Sequence, residues 1–591
     1  MLRKDVPENR TWDTTGLFAN EEEFEKGLAL ANEMINKFEA YQGKLNKDNA
    51  IDCLNLTVEA ERLGSRLYVY AMMKRDENTA LPENQSRIGK VQMLLTTFSS
   101  KLSFINPELS AFDDSVLEEM KNSPKYADFS VVLYDIIRQK KHILSEKEEK
   151  VLAEVSAFSS GYQEVFTMFD NADLKFSDVL DKDGNAHPLS HGTYAVYLES
   201  KDAVLRENAF KEYYKRYIDF INTVGMTYIS SVKKDSAFAK IRKYDSALAG
   251  ALYNEDVPVE VYNNLVNSVM KNTPKMHEYI KLRKEILGLD KMHMYDMYMP
   301  LSKDVTMELE YEDAYELVCK ALAPLGKEYN KILRKAYETR WIDVYETENK
   351  RSGAYSVGIY DHTPFVLLNY TKTTSDIFTI AHEMGHAIHS YMSNSAQPFS
   401  KADYTIFVAE VASTVNEVLM LKYLLKSADA KMREFLLNYF ISMVRTTLFR
   451  QTMFAEFEKF AHETYEQFKP LTPELLSEEY LRLNKAYYGP GVEHDKEIAY
   501  EWMRIPHFYR AFYVYKYATG ITAAINIANK VLEQGEDYVP KYFKMLSAGC
   551  SLPPVEILKL ADVDLMSEKP FEVAMNEFAN AVNELKKLQK K

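Results

Sequence analysis

The run His382-Glu383-Met384-Gly385-His386 sets two imidazoles four residues apart, with a carboxylate beside the first. On a helix such rings stand one above the other, about 6 Å along the axis, so both can reach one metal ion. Glu383 is turned about 100° from His382 and can face a water held by that ion. Zinc with three protein ligands keeps one open position, polarises a carbonyl and brings its water to a pKa near about 7. The spacing therefore predicts metal-assisted hydrolysis.

Two histidines do not complete such a site, so a third ligand is required. His389 shares their face, but its Cα lies about 10 Å along the axis from His382, too far to join both rings on one ion. It reads as a supporting residue. A carboxylate from a separate helix remains. In Phe407-Val408-Ala409-Glu410-Val411-Ala412-Ser413, Glu410 is flanked by small and apolar side chains. A carboxylate there is costly unless paired or on a metal, and Glu410 is the expected ligand. Glu417, two turns further on the same face, is expected to support a ligand or to be solvated.

Elements must position these groups. Pro364–Tyr370 is rich in β-branched and aromatic residues and reads as a strand. Thr373 to Asp376 offers N-cap residues, and Ile377, Phe378, Ile380, Ala381, Met384, Ala387, Ile388 and Tyr391 form an apolar helix face. His382, Glu383 and His386 fall largely off that face. Elsewhere, long 3.6-period stretches rich in Glu, Lys, Leu, Ala and Met run to the C-terminus. Strand-like exceptions are residues 173–180, a possible hairpin at Asp183-Gly184-Asn185, and the region 355–369. With only 20 Gly and 19 Pro in 591 residues, no Gly/Ser linker divides the chain into modules. The expected fold is mainly α, with a small β-sheet beside the motif helix.

Taken together, these residues resemble the oligoendopeptidase F group of the zinc oligopeptidase family that includes thimet oligopeptidase and neurolysin. In that family a ligand Glu in a Phe-x-x-Glu-x-x-Ser context follows the motif by some two dozen residues. Here His386 and Glu410 are 24 apart and the context is Phe-Val-Ala-Glu-Val-Ala-Ser. Thr11–Phe18, Arg242–Ala247, Arg351–Ser356, Ile505–Tyr509 and Leu546–Ser551 are also similar to family segments, although Cys550 stands where Gly is usual. The resemblance implies a large two-lobed helical metallopeptidase enclosing a deep channel. Residues 1–200 would form the N-terminal helical region and 201–591 the catalytic region. It also implies one zinc ion per chain, held by His382, His386 and Glu410, with Glu383 as general base. Short unstructured oligopeptides would be the substrates.

A peptidase must also grip its substrate and stabilise an oxyanion. Phe365–Tyr370 is the candidate edge strand for main-chain pairing, under a Gly-bearing loop that contains Gly353 and Tyr355. A buried strand and a plain turn fit the same residues equally well. For the oxyanion, Tyr500–Tyr517 crowds His507, Tyr509, Tyr513, Tyr515 and Tyr517 together. Relatives use a His and Tyr residues on an equivalent C-terminal helix, though at a different spacing. His507 and then Tyr513 are preferred, with Tyr509 and Tyr515 as alternates or substrate contacts.

A net charge of −14 argues against nucleic acid, whose phosphates need a basic face. Cys53, Cys319 and Cys550 have neither disulfide-framework nor thiolate-site spacing. No signal peptide and no membrane span are expected, and a cytoplasmic location is. Oligomeric state is not legible.

Overall fold

The computed structural model describes residues 1–156, 158–301, 305 and 307–590. It is mainly helical, with two small sheets. No helix among the described residues is long and apolar enough to cross a membrane. The chain divides into two compact units, each built from three segments.

The first unit comprises Met1–Lys141, Thr306–Tyr423 and Ile527–Val563. Its three-stranded sheet has the order β3 (Ile342–Tyr345), β5 (Phe365–Tyr370), β4 (Tyr355–Val357). β5 runs parallel to β3, pairing Val366 with Ile342, and antiparallel to β4, pairing Leu367 with Tyr355. The helices Glu21–Lys37, Ala50–Glu77 and Pro82–Leu102 share one core with this sheet. Trp12 joins it edge-on to Phe365, with ring centroids 6.3 Å apart.

The β3–β5 register slips between Asp343 and Tyr345, which leaves carbonyls unpaired by the ladder. Lys350, buried against this bulge, donates to the Tyr345 and Leu368 carbonyls at 2.7 and 2.6 Å and pairs with Asp343 at 2.7 Å. Immediately after β5 the chain enters the helix Thr374–Ala396. Thr373 caps it: its side chain accepts from the Asp376 N–H, and the Asp376 carboxylate accepts from the Thr373 N–H.

The second unit comprises His142–Val305, Leu424–Asn526 and Asp564–Lys591. The expected hairpin forms, pairing β1 (Val179–Leu180) with β2 (Ala186–His187) through a turn in which Gly184 has φ +82°. The strand expected over residues 173–180 shrinks to its last two positions. Helices make up most of the rest. Between Ala430–Val444 and Arg450–Glu466 lies one π-helical turn, Arg445–Phe449, in which the Arg450 N–H reaches the Arg445 carbonyl.

Candidate active site

The apolar face of Thr374–Ala396 is buried except at its end, where Tyr391 is half-buried: Ile377, Ala381, Met384, Ala387 and Ile388 are sealed from solvent. The His382 and His386 rings reach the helix Ile406–Ser427, where Glu410 and Glu417 lie beside them. The Nε2 atoms of His382 and His386 stand 3.2 Å apart, and Glu410 Oε2 is 3.7 Å from each. Four ligands about 2.1 Å from a tetrahedral ion sit roughly 3.4 Å from one another. The three observed edges bracket that value, so these side chains can hold one ion without rearrangement. The donor set, two imidazoles and a carboxylate, suits zinc.

Supporting groups fix the ligands. Glu417 Oε1 accepts a hydrogen bond from His382 Nδ1, which puts the ring proton there and leaves Nε2 free to ligate. Two further contacts set the spacing of the two helices. The Asn416 side chain donates to the Ala381 carbonyl at 2.9 Å and accepts from the Tyr329 hydroxyl at 2.9 Å. Gly385 lies so close to Ser413 that an added Cβ would meet its Cα at 2.5 Å and the Ala412 carbonyl at 2.7 Å.

The electrostatics sort the titrating groups. Burial pushes the Glu383 carboxyl up to about 7; His382 opposes this, while Glu410 and Glu417 reinforce it. Burial also takes His386 down to about 3, helped by His382, so this ring is neutral. For His382, burial disfavours charge but is outweighed by the Glu417 hydrogen bond and the surrounding carboxylates, and its pKa rises. His389 is buried and stacked on Tyr404 with ring centroids 3.7 Å apart, as a supporting residue would be.

Beside the motif helix lies a cavity of about 640 Å³, lined by Ser356, Gly358, Tyr360, Ser390, Asn394 and Tyr404 among others. Sequence reasoning missed it. Its wall joins the end of β4 to the helix turns beyond His386: a Cβ on Gly358 would meet Ser390 Cβ at 2.5 Å, and Ser390 Oγ lies 2.8 Å from the Tyr404 hydroxyl. No local pattern announces residues from such distant segments.

Residues 196–577, well over half the chain, match the model of peptidase family M3, and residues 108–176 match the one described as oligopeptidase F. The chain belongs to peptidase family M3. Its relatives include oligopeptidase PepF of Bacillus subtilis, 41% identical over 99% of this chain and 88% of that protein. An oligoendopeptidase F homolog of Borreliella burgdorferi is 37% identical over 99% of both chains. A crystal structure of oligoendopeptidase F from Enterococcus faecium superposes with a TM-score of 0.74 at 34% identity, covering 96% of this chain and 99% of that one. The crystal structure of a protein from Chlamydophila abortus described only as a peptidase gives 0.94 at 34% identity over 99% of both chains. This M3 protein is thus a metalloendopeptidase acting on peptides.

For this M3 enzyme two expectations about the substrate grip need correction. β5 cannot be the pairing edge, because β3 and β4 occupy both its sides, and Phe365 is a core residue at 1% exposure. The outer strands of this sheet are β3 and β4, and β4 is the one that borders the cavity, through Ser356 and Val357. Tyr355, on β4, gives its hydroxyl to Asp76 at 3.0 Å. Gly353, exposed and at φ +84°, has its carbonyl held by Asn369 at 2.7 Å. Tyr509 and Tyr515 are buried in the second unit, Tyr509 stacked on Phe166, so neither can touch substrate as placed. His507 is exposed there and Tyr513 partly so, with ring centroids 6.1 Å apart.

Proposed function

We propose that this M3 peptidase is a zinc-dependent endopeptidase that cuts internal bonds of short unstructured oligopeptides. The observation that carries this reading is the convergence of His382, His386 and Glu410 on one point. When bound there, zinc supplies a Lewis acid for the scissile carbonyl and acidifies a water. Glu383 takes the proton of the attacking water on its carboxylate and delivers it to the leaving amine nitrogen. Burial favours the protonated form of this carboxyl, which helps it hold the proton between the two transfers.

Glu417 holds the His382 tautomer. The β4 edge is the proposed track for the peptide backbone, since main-chain pairing grips any sequence. The neighbouring cavity would receive a side chain along that track. His507 and Tyr513 are the proposed oxyanion donors, because both keep solvent access and carry N–H or O–H groups. The catalytic region would be residues 201–591, which the family match over 196–577 supports. A cytoplasmic location is in keeping with three free thiols.

A peptide of about ten residues, blocked at both ends, tests the reading. Cleavage at an internal bond should require about one zinc per chain and stop with a chelator. The same segment inside a folded protein should survive. Chelator-resistant cleavage, or equal cutting of the folded substrate, would refute it.

A further inference from the structure

The second unit encloses a cavity of about 20 Å³, lined by Arg445, Arg450, Arg504, Glu501, Tyr298 and Tyr488 among others. That is room for a single particle of about the size of water. Three guanidiniums face one carboxylate, an excess of two positive charges, because arginine does not give up its proton in proteins. Glu501 is already shared: it lies 2.5 Å from Arg450 Nη2 and 3.3 Å from Arg504 Nη2, and it accepts from the Tyr480 hydroxyl at 2.5 Å. Arg445 has no such partner. It is 4% exposed, pairs with no carboxylate among the described residues, and keeps a buried Nε without a hydrogen-bond acceptor. The Tyr298 ring, 5.4 Å from its Cζ, is a weak substitute for a counter-charge. Arg504 Nε is likewise buried and unpaired.

The backbone is built to make this crowding. In an α-helix, residues five apart point about 140° away from each other. The π-turn Arg445–Phe449 cancels most of that rotation and brings Arg450 round to the side of Arg445. Like charges converge there because of a local backbone irregularity, a device that recurs at functional sites. A polyatomic oxyanion is too large for the space. We propose that the cavity is a binding site for one monatomic anion of the halide class, chloride in ordinary media, held by Arg445 with Arg450 and Arg504. This reading is independent of the metal site.

The test uses the full-length protein. Its unfolding midpoint is measured in sodium chloride and in sodium gluconate, an anion too large to enter, at equal ionic strength. A saturable rise of about 1–2 °C in chloride is expected, and Arg445→Met should abolish it. Crystals grown in bromide should show an anomalous peak beside Arg445, which decides the matter even if the variant does not fold. Equal midpoints in the two salts, a chloride effect that survives Arg445→Met, or a cavity holding only water in bromide would each overturn the proposal.

Discussion

Gly385 touches the backbone of Ser413, and this contact sets the distance between the two histidines and Glu410. A Cβ at Gly385 would lie 2.5 Å from Ser413 Cα and 2.8 Å from its N, against backbone that cannot swing aside. Gly385→Ala must therefore push the helices apart, at a cost of roughly 1–3 kcal/mol. We expect a zinc affinity at least tenfold weaker, read by competition with a chromogenic chelator. Unchanged affinity in a folded variant would show that the contact does not set the ligand spacing.

Glu383→Gln keeps the shape of the side chain and removes its proton chemistry. Peptide cleavage should fall by about two to four orders of magnitude, with zinc content by atomic absorption unaltered. Residual activity near that of the parent would exclude Glu383 as the base.

Glu417 acts through His382, so its loss should appear in metal binding before chemistry. For Glu417→Ala a ten- to hundredfold loss of zinc affinity is expected, and saturating zinc should restore most of the turnover. A variant with normal affinity and poor turnover would instead make Glu417 a participant in the reaction.

Glu501 gives the fold an acid limit. Burial would raise its carboxyl, but Arg450 and Arg504 outweigh that and hold it down to about 2, against 4.5 ordinarily. With the folded value depressed, its contribution is complete above the ordinary value and drains away as pH falls towards 2. The stability gap between the parent and Glu501→Gln, from denaturant titrations, should stay constant above pH 5 and narrow below it. A gap that widens on acidification would mean that Glu501 is protonated in the folded protein.

What the sequence disclosed, and what it hid, follows from the range of the interactions. His382, Glu383 and His386 share a helix, and Glu410 stands out as a carboxylate among small apolar neighbours, so the clustering of His382, His386 and Glu410 could be anticipated locally. The Thr373–Asp376 capping box was legible for the same reason. Strand order was not, since it depends on Tyr355–Val357 returning to pair with Phe365–Tyr370. The unbroken apolar run Phe365-Val366-Leu367-Leu368 was nevertheless a sign of a strand covered on both faces. Among 41 tyrosines, nothing local separates the buried Tyr509 and Tyr515 from the accessible Tyr513. The π-turn at Arg445 interrupts no periodicity that a reader could count.

Every proposed metal-binding atom, and the carboxylate that steadies the first imidazole, comes from one short stretch between His382 and Glu417. The cofactor's residence time is consequently a property of a single helix pair, governed by how often those two rods breathe apart. Gain or loss of the ion can then be tuned by mutation there without redesigning the remainder of the molecule.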